Sequence, residues 1–197
     1  MLNISAVLLG AGRSKRMGVN KLSLPWRGKT LFEYCLNTLL RSNVKKVVVV
    51  LNDRMREEGC FFPKPNVEVV INPYYKKGMS TSIRRGVRVL NSKSDGILIA
   101  LGDQPFLKTR TINALIGAFR RGKGKIIVPT FKGRRGHPVI FHRKYERELL
   151  RLRGDVGGKV IMEKHPSDVQ LIPVKSEGII KDIDTWRVYM KELRRRS

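Results

Sequence analysis

The sequence is poor in cysteine and has no long apolar run. Cys35 and Cys60 stand alone, and the three histidines lack the spacing of a zinc site, so we expect reduced thiols in a cytoplasmic protein rather than a structural zinc. No apolar run approaches the roughly 20 residues of a membrane span, so we expect no membrane partner. The first residues predict a strand and not a signal peptide, because no basic region precedes their apolar stretch.

Acidic residues are also scarce. Against 16 Asp and Glu stand 41 Lys and Arg, which gives a net charge of +25. Such a surplus favours an anionic partner: a nucleic acid, a nucleotide or a phosphorylated metabolite. The alternative is a solvated surface of a heat-adapted protein, although such surfaces usually add Glu together with Lys. The charge therefore indicates an anionic ligand without naming it.

Strand-like apolar runs alternate with helix-like segments along the whole chain. "SAVLLG", "KVVVVLN", "VEVVINP", "GILIALG", "KIIVPTF", "VIF", "DVQLIPV" and "GIIKDID" predict strands. The helix "STSIRRGVRV" is expected to begin near Ser80 or Thr81, and the helix "TRTINALIGAF" at Thr109. No linker divides the chain. The alternation predicts one α/β domain over residues 1–197, with a mostly parallel sheet and helices on both faces.

The segment "AVLLGAGRSKRMGVNKLSLP" joins a buried strand to a loop of glycines and cations. Ligands of open α/β sheets bind beyond the carboxyl ends of the strands, which makes this loop a candidate site. Gly10 and Gly12 permit a close approach of backbone N–H groups to a phosphate, and Arg13, Arg16 and Lys21 add charge. Neither a Walker A loop nor a dinucleotide fingerprint is present. The alternative is a plain strand-to-helix turn with solvated cations.

Three further stretches carry candidate residues at predicted element ends. Asp103 follows a buried strand, where a carboxylate suits Mg²⁺, although a turn or capping role is the alternative. Ser80 and Ser82 lie at a helix start that favours an anion, or simply form an ordinary cap. Asp182 and Asp184, two residues apart, are predicted to share one side of a strand.

The loop resembles the signature of the molybdenum cofactor nucleotidyltransferases, within the glycosyltransferase-A-like nucleotidyltransferases. That signature is a strand, L-A-[AG]-G-x-x-x-R-M-G, then a lysine, a proline and a glycine. The matching residues are Leu9, Ala11, Gly12, Arg16, Met17, Gly18, Lys21, Pro25 and Gly28, whereas Gly10 stands where the family usually has alanine. "NPYYKKGMSTS", "GDQP", "GRRGHPVIF", "RGDVGGKVIM" and "KDIDTW" resemble its later segments, in the same order.

The resemblance implies a three-layer α/β/α, Rossmann-like nucleotidyltransferase fold and the transfer of a nucleotide to molybdopterin. Ala11 matches the cytidylyl branch, so we expect CTP to be the nucleotide, with molybdopterin cytosine dinucleotide and pyrophosphate as products. Because Gly10 fits neither branch, GTP, or another phosphorylated small molecule as acceptor, remains an alternative. A basic nucleic-acid-binding protein is the alternative of another class. We do not expect nucleic acid as a partner, because no such module and no aromatic run among the basic residues is recognised.

The same resemblance implies roles for individual residues. Arg16, Lys21 and Asp103 would be catalytic, and Asp103 together with Asp184 or Asp182 would hold Mg²⁺ or Mn²⁺. The residues expected to bind the nucleotide are Leu9, Gly10, Ala11, Gly12, Arg16, Lys21, Ser80 and Ser82. The residues expected to bind the acceptor are Arg134, Arg135 and His137, the histidine having a structural role as its alternative. Asp155 is expected to cap the helix that follows it, and a molybdoenzyme is a candidate recipient of the product.

Overall fold

A twisted sheet runs through the middle of the molecule and carries helices on both faces. The computed structural model describes residues 2–14, 16–57, 64–90 and 94–195. Lys15 and Cys60 lie outside these ranges, whereas Cys35 lies within them and is a buried free thiol. The predicted α/β architecture, with a mostly parallel sheet between two helical layers, is confirmed.

The strands of the described ranges fall mainly where the apolar runs predict them. They are β1 (Ile4–Leu9), β2 (Pro25–Trp26), β3 (Lys29–Thr30), β4 (Val47–Leu51), β5 (Val67–Ile71), β6 (Gly96–Leu101), β7 (Ile126–Phe131), β8 (Arg134–Arg135), β9 (Val139–His142) and β10 (Val169–Pro173). The helices are α1 (Leu31–Leu40), α2 (Asp53–Glu57), α3 (Met79–Val89), α4 (Thr109–Arg120), α5 (Glu146–Arg151), α6 (Lys159–Lys164) and α7 (Trp186–Arg194). None of these helices combines the length and the apolar composition that crossing a bilayer requires.

The main sheet has the order β10-β7-β9-β6-β1-β4-β5, with β8 paired to β7. The chain runs outward from β1 through β4 to β5 and then returns to place β6 on the other side of β1, parallel to it. The antiparallel pairings involve β9 and β8. The order of the strands therefore reverses between β1 and β6, and such a reversal opens a crevice at the carboxyl ends of the strands.

Alternate residues of the central strands pack into two separate apolar cores. In β4, Val47 and Val49 join the core beneath α1, α4 and α7, whereas Val48 and Val50 join the core beneath α3, α5 and α6. All four side chains are fully buried. A strand covered on both faces has no polar side, which explains why these segments are continuous apolar runs in the sequence.

A tight turn and a capping box determine where α1, the helix that follows the first loop, begins. Arg27 and Gly28 have φ values of 51° and 73°, as the two-residue turn between β2 and β3 requires. Thr30 then caps α1: its hydroxyl accepts from the Glu33 N–H, and the Glu33 carboxylate accepts from the Thr30 N–H. The hairpin and the capping box together set where α1 starts.

Three local predictions from the sequence are wrong. The segment "KDID" forms no strand, because Lys181 to Asp184 lie outside the sheet after a 3₁₀ turn at Glu177–Ile179. Helix α3 is capped at Gly78 rather than at Ser80 or Thr81, and α4 is capped at Lys108 rather than at Thr109. In each case a tertiary contact outweighs the local preference on which the prediction was based.

Candidate active site

A cleft of about 500 Å³ opens between the carboxyl ends of β1 and β6. One wall comes from the loop after β1, the other from the start of α3. The residues that line it are Leu9, Ala11, Gly12, Arg13, Tyr75, Lys76, Lys77, Gly78, Met79, Ser82, Leu101, Asp103 and Asp155. The cleft therefore lies where the strand order reverses, and it brings together residues of the first loop and of the segments "NPYYKKGMSTS", "GDQP" and "RGDVGGKVIM".

The two glycines of the first loop have different surroundings. Gly12 is exposed at the cleft, and a Cβ there would meet no atom within 4 Å. Gly10 is buried, and its N–H donates to the Val50 carbonyl at 2.8 Å. A Cβ on Gly10 would lie 2.6 Å from the Phe32 ring. Gly10 therefore meets a packing demand, and the structure does not bring its N–H into the cleft.

Lys21 lies at the centre of the site. Asn20 caps the 3₁₀ turn at Lys21–Ser23 by accepting from the Leu22 N–H, and this turn directs the lysine inward. Its Nζ donates to Asp103 Oδ2 at 2.6 Å and to Asp184 Oδ1 at 2.5 Å. Burial alone lowers the pKa of Lys21, but the two carboxylates outweigh burial and raise the pKa above its usual value. The ammonium is therefore a permanent cation between two acids.

Three carboxylates converge around this ammonium. Asp103, Asp182 and Asp184 each place an oxygen within 4.8 Å of the others. The Ile183 N–H donates to the Asp103 carbonyl at 3.0 Å, which holds the 182–184 segment against the end of β6. Burial, together with the charges of Asp184 and Asp103, raises the pKa of Asp182. The cluster thus concentrates negative charge that a single lysine neutralises only in part.

The donor set fits a hard divalent cation. Asp103 Oδ1 is buried and makes no hydrogen bond to any residue in the described ranges. Carboxylate oxygens are the ligands that Mg²⁺ and Mn²⁺ prefer. The predicted pair of Asp103 with Asp184, and the alternative with Asp182, are thus both present in one cluster.

Arg16 and Trp186 tie the first loop to the last helix. Arg16 Nη1 lies 2.8 Å from Asp184 Oδ2, with 71% of its side chain exposed. The indole N–H of Trp186 donates to the Met17 carbonyl at 3.0 Å. Trp186 is the first residue of α7, and Thr185 caps the helix. Trp186 therefore anchors the first loop to α7.

The start of α3 is held by a distant turn. The Met79 N–H donates to Asp155 Oδ1 at 2.9 Å, so Asp155 caps α3 and not the helix that follows it in sequence. The Ser80 hydroxyl donates to the Gly154 carbonyl at 2.6 Å and is fully buried, so the structure does not bring it to the cleft. Ser82 does line the cleft, where its oxygen accepts from the Asn72 amide.

A second cavity adjoins the cleft at Met79, the residue that lines both. Its volume is about 270 Å³ and its lining is mainly apolar: Met79, Ile83, Ile99, Val128, Arg135, Gly136, His137, Val139, Phe141, Gly157, Gly158, Lys159 and Met162. Arg135 and His137, both predicted to bind the acceptor, line it, whereas Arg134 is exposed on β8 and does not. Burial lowers the pKa of His137 despite the charge on Asp103, which leaves Arg135 and Lys159 as the cations of this cavity.

Several lining residues of the cleft were not predicted as site residues. Among them, Tyr75, Lys76 and Lys77 line the cleft beside α3, whereas Arg13, whose charge was predicted at the first loop, lines the opposite rim. Arg13 and Lys76 also line a smaller cavity of about 210 Å³ beside the loop. The run "YYKKG" directly before the predicted helix was the signal in the sequence, because a basic run before a helix start favours an anion.

Curated relatives with similar sequences have different names. The chain is 31% identical to nicotine blue oxidoreductase of Paenarthrobacter nicotinovorans, over 92% of each chain. It is 31% identical to the purine catabolism protein PucB of Bacillus subtilis, over 93% of this chain and 92% of that one. It is 24% identical to the molybdenum cofactor cytidylyltransferase of Escherichia coli, over 94% and 93%. These names state different roles.

Solved structures agree with the fold. The crystal structure of Rv0371c from Mycobacterium tuberculosis matches with a TM-score of 0.84 at 26% identity, over 98% of both chains. A manganese complex of the same protein matches with a TM-score of 0.81 at 25% identity, again over 98% of both chains. The predicted glycosyltransferase-A-like fold is thereby confirmed.

The family resemblance expected from the first loop is confirmed by a match that reaches far beyond that loop. The model of the MobA-like NTP transferase domain matches residues 6–169, from β1 to the start of β10. The chain therefore belongs to the MobA-like NTP transferase family, a family of nucleotidyltransferases.

Proposed function

We propose that the protein is a metal-dependent cytidylyltransferase that joins CMP from CTP to the phosphate of molybdopterin and releases pyrophosphate. The observation that carries this proposal is the placement of Lys21 between Asp184 and Asp103, a residue that lines the cleft. A cation held among carboxylates beside a cavity of nucleotide size suits the charge of a triphosphate and its metal. The whole chain, residues 1–197, would act as one nucleotidyltransferase domain.

The proposed reaction needs no protein nucleophile. An oxygen of the acceptor phosphate attacks the α-phosphorus, and the bond from that phosphorus to the β-phosphate oxygen breaks. The electron pair of that bond leaves with pyrophosphate. Catalysis comes from positioning and from neutralising charge as it develops. Arg16 and Lys21, which both pair with Asp184, would exchange this carboxylate for the departing phosphates.

Asp103 would hold the divalent cation together with Asp184 or Asp182. When bound, Mg²⁺ or Mn²⁺ supplies charge neutralisation at the phosphate oxygens. Leu9, Ala11 and Gly12 would face the nucleotide from one rim, with Ser82 on the other. Ala11 is buried at this rim and, by resemblance, favours CTP over GTP.

The adjoining cavity is the proposed acceptor site. Its apolar lining suits the faces of a planar ring system, and Arg135 and Lys159 supply charge for a phosphate. Met79 forms the border with the cleft, so a ring bound in this cavity can present its phosphate toward the nucleotide. This arrangement supports molybdopterin, or another phosphorylated ring compound, as the acceptor.

The test pairs nucleotide selection with product formation. Thermal shifts with each of the four NTPs and Mg²⁺ should show selective stabilisation by CTP, and CTP with molybdopterin should yield pyrophosphate and the cytosine dinucleotide. Asp103→Asn is the matched control, because it keeps the shape of the side chain and removes its charge. Selective use of GTP would replace the cytidylyl assignment with the guanylyl one. Stabilisation by a nicotinamide dinucleotide and by no NTP would overturn nucleotidyl transfer itself.

A further inference from the structure

A basic groove runs along the outer face of α3, beside the cleft and separate from the acid cluster. Its volume is about 360 Å³. We name this cavity the α3 groove. The residues that line it are Asn72, Pro73, Tyr74, Lys77, Thr81, Arg84, Arg85 and Arg88. Lys77 also lines the nucleotide cleft, so the two cavities share a wall. The proposed transfer reaction gives the other residues of the groove no role.

Within the described residues, no carboxylate neutralises the arginines of the α3 groove. Arg84 and Arg88 lie one helical turn apart, with Arg85 beside them, so the three side chains line one groove. No carboxylate lines the groove, and none of the three arginines forms an ion pair with a residue of the described ranges. Nε of Arg84 is buried and has no hydrogen-bond partner there. Unpaired guanidinium groups in a groove are suited to bind phosphates.

An exposed aromatic ring stands at the end of this row of arginines. Tyr74 is 62% exposed, and Nζ of Lys77 lies 5.3 Å from the centre of its ring. Its backbone is fixed on both sides: its N–H donates to Asn72 Oδ1 at 3.0 Å, and its carbonyl accepts from the Thr81 hydroxyl at 3.1 Å. A rigid turn therefore presents the ring to solvent beside the arginines, where a planar group can stack on it.

Contrary to the expectation from the sequence, we propose that the α3 groove binds a single-stranded polynucleotide. The arginines would contact successive phosphates, and a base would stack on Tyr74. Proteins that bind single strands combine a basic groove with aromatic stacking platforms, and both are present here within one cavity. A small anion or an acidic peptide would use the arginines but would leave the exposed ring without a role. The ring therefore favours a polynucleotide over these other anions.

The shared wall gives this binding a consequence for the cleft. A strand lying in the groove passes Lys77, which forms part of the nucleotide cavity. A bound polynucleotide would therefore compete with the triphosphate for the same rim. Competition links the groove to the active site without any change in the fold.

The experiment measures the anisotropy of a fluorescein-labelled RNA of mixed sequence, about 12 nucleotides long, titrated with the full chain. The test variant is Arg84→Gln/Arg85→Gln/Arg88→Gln. The matched control, Arg187→Gln/Lys191→Gln/Arg194→Gln, removes the same charge from exposed positions on α7. The groove variant should bind at least about tenfold more weakly than the control, and the slope of log affinity against log salt should become shallower by about 2.

Tyr74 separates a polynucleotide from other polyanions. Tyr74→Ala should weaken RNA binding about tenfold while Tyr74→Phe retains it, and neither should change the affinity for inorganic polyphosphate. Unlabelled RNA should raise the KM for the triphosphate in the wild-type protein. Equal losses in the two triple variants would overturn the proposal in favour of diffuse surface charge. An unchanged RNA affinity in Tyr74→Ala, in a variant shown to be folded by its circular dichroism, would overturn it in favour of a general polyanion site.

Discussion

Two groups of cations in this molecule have opposite surroundings. Arg16 and Lys21 at the active site are tied to carboxylates, Lys21 at 2.6 Å and 2.5 Å from two of them. Arg84, Arg85 and Arg88 on α3 have no carboxylate in their groove. A paired cation is positioned and can be released by an incoming anion, whereas an unpaired cation raises the local potential. The cations that produce the net charge of +25 therefore act in at least two ways, some as positioned partners of carboxylates and others as sources of positive potential.

The largest expected effect tests whether turnover needs the carboxylate of Asp103, which pairs with Lys21. Asp103→Ala should lower kcat/KM by about 10³-fold or more, because it removes both the proposed metal ligand and the partner of Lys21. Release of pyrophosphate from CTP in the presence of Mg²⁺ measures the loss. The proposed site would be wrong if the variant kept near-normal metal-dependent release.

The second effect tests the cation of the same pair. Lys21→Met should lower kcat by about 10²-fold, since a charge that stabilises the departing phosphates is lost. Without nucleotide, the same variant should bind Mn²⁺ at least about fivefold more tightly, because Lys21 no longer neutralises Asp103 and Asp184. Calorimetry measures the affinity. Arg16→Met, at a mostly exposed position, is the control and should change Mn²⁺ binding less.

The third effect separates a cleft serine from a structural one on the same helix. Ser82→Ala should raise the KM for the nucleotide about fivefold, because its hydroxyl faces the cleft and already accepts from Asn72. Ser80→Ala should leave that KM unchanged and lower the free energy of unfolding by about 1 kcal/mol, since its bond to the Gly154 carbonyl is lost. If both variants kept the wild-type KM, neither hydroxyl would be in contact with the nucleotide.

The smallest effect concerns an ion pair away from the cleft, between Lys181 and Glu192. Burial raises the pKa of Glu192, but Lys181 and Arg195 outweigh burial and lower the pKa below its usual value. A lowered carboxyl pKa contributes stability above the unfolded pKa of 4.5, and this contribution is lost as the pH falls through the folded value. Glu192→Gln should therefore lower the free energy of unfolding by less than about 1 kcal/mol at neutral pH.

Urea unfolding at neutral pH and at successively lower pH checks this contribution, because the difference in stability between wild type and variant should shrink as the pH falls below 4.5. Turnover should stay at the wild-type level, since Glu192 and Lys181 pair outside the nucleotide cleft. A difference in stability that persists in acid would show that the carboxylate acts through packing rather than through charge.

Much of the fold was predictable because the central strands are buried on both faces. Val47 to Val50 can be nothing but apolar in such a sheet, so their pattern in the sequence is unambiguous. The segment "KDID" was wrongly predicted to form a strand, because its alternation of acidic and apolar residues has another cause. Ile183 points into the core while the acids beside it face the cluster, and a single bond to the Asp103 carbonyl replaces the hydrogen-bond ladder of a strand.

Several residues of the candidate site could be predicted from the sequence, but their arrangement in space could not. Lys21 meets Asp103 across 82 positions of sequence and Asp184 across 163, and only the sheet order brings them together. Local preference placed a cap at Ser80, whereas Asp155 supplies it from another part of the chain. The role of Gly10 was hidden for the same reason, since its neighbour Phe32 belongs to α1.

Gly78, at the start of α3, has a further consequence for how this cleft can change. Its φ is +108°, and a Cβ there would lie 2.6 Å from the backbone of Gly154 and Asp155. The two turns thus touch main chain to main chain, and no exchange of side chains can widen the gap at this point. A wider cleft at this point would therefore require a longer turn on one side, that is, an insertion in the chain rather than a substitution.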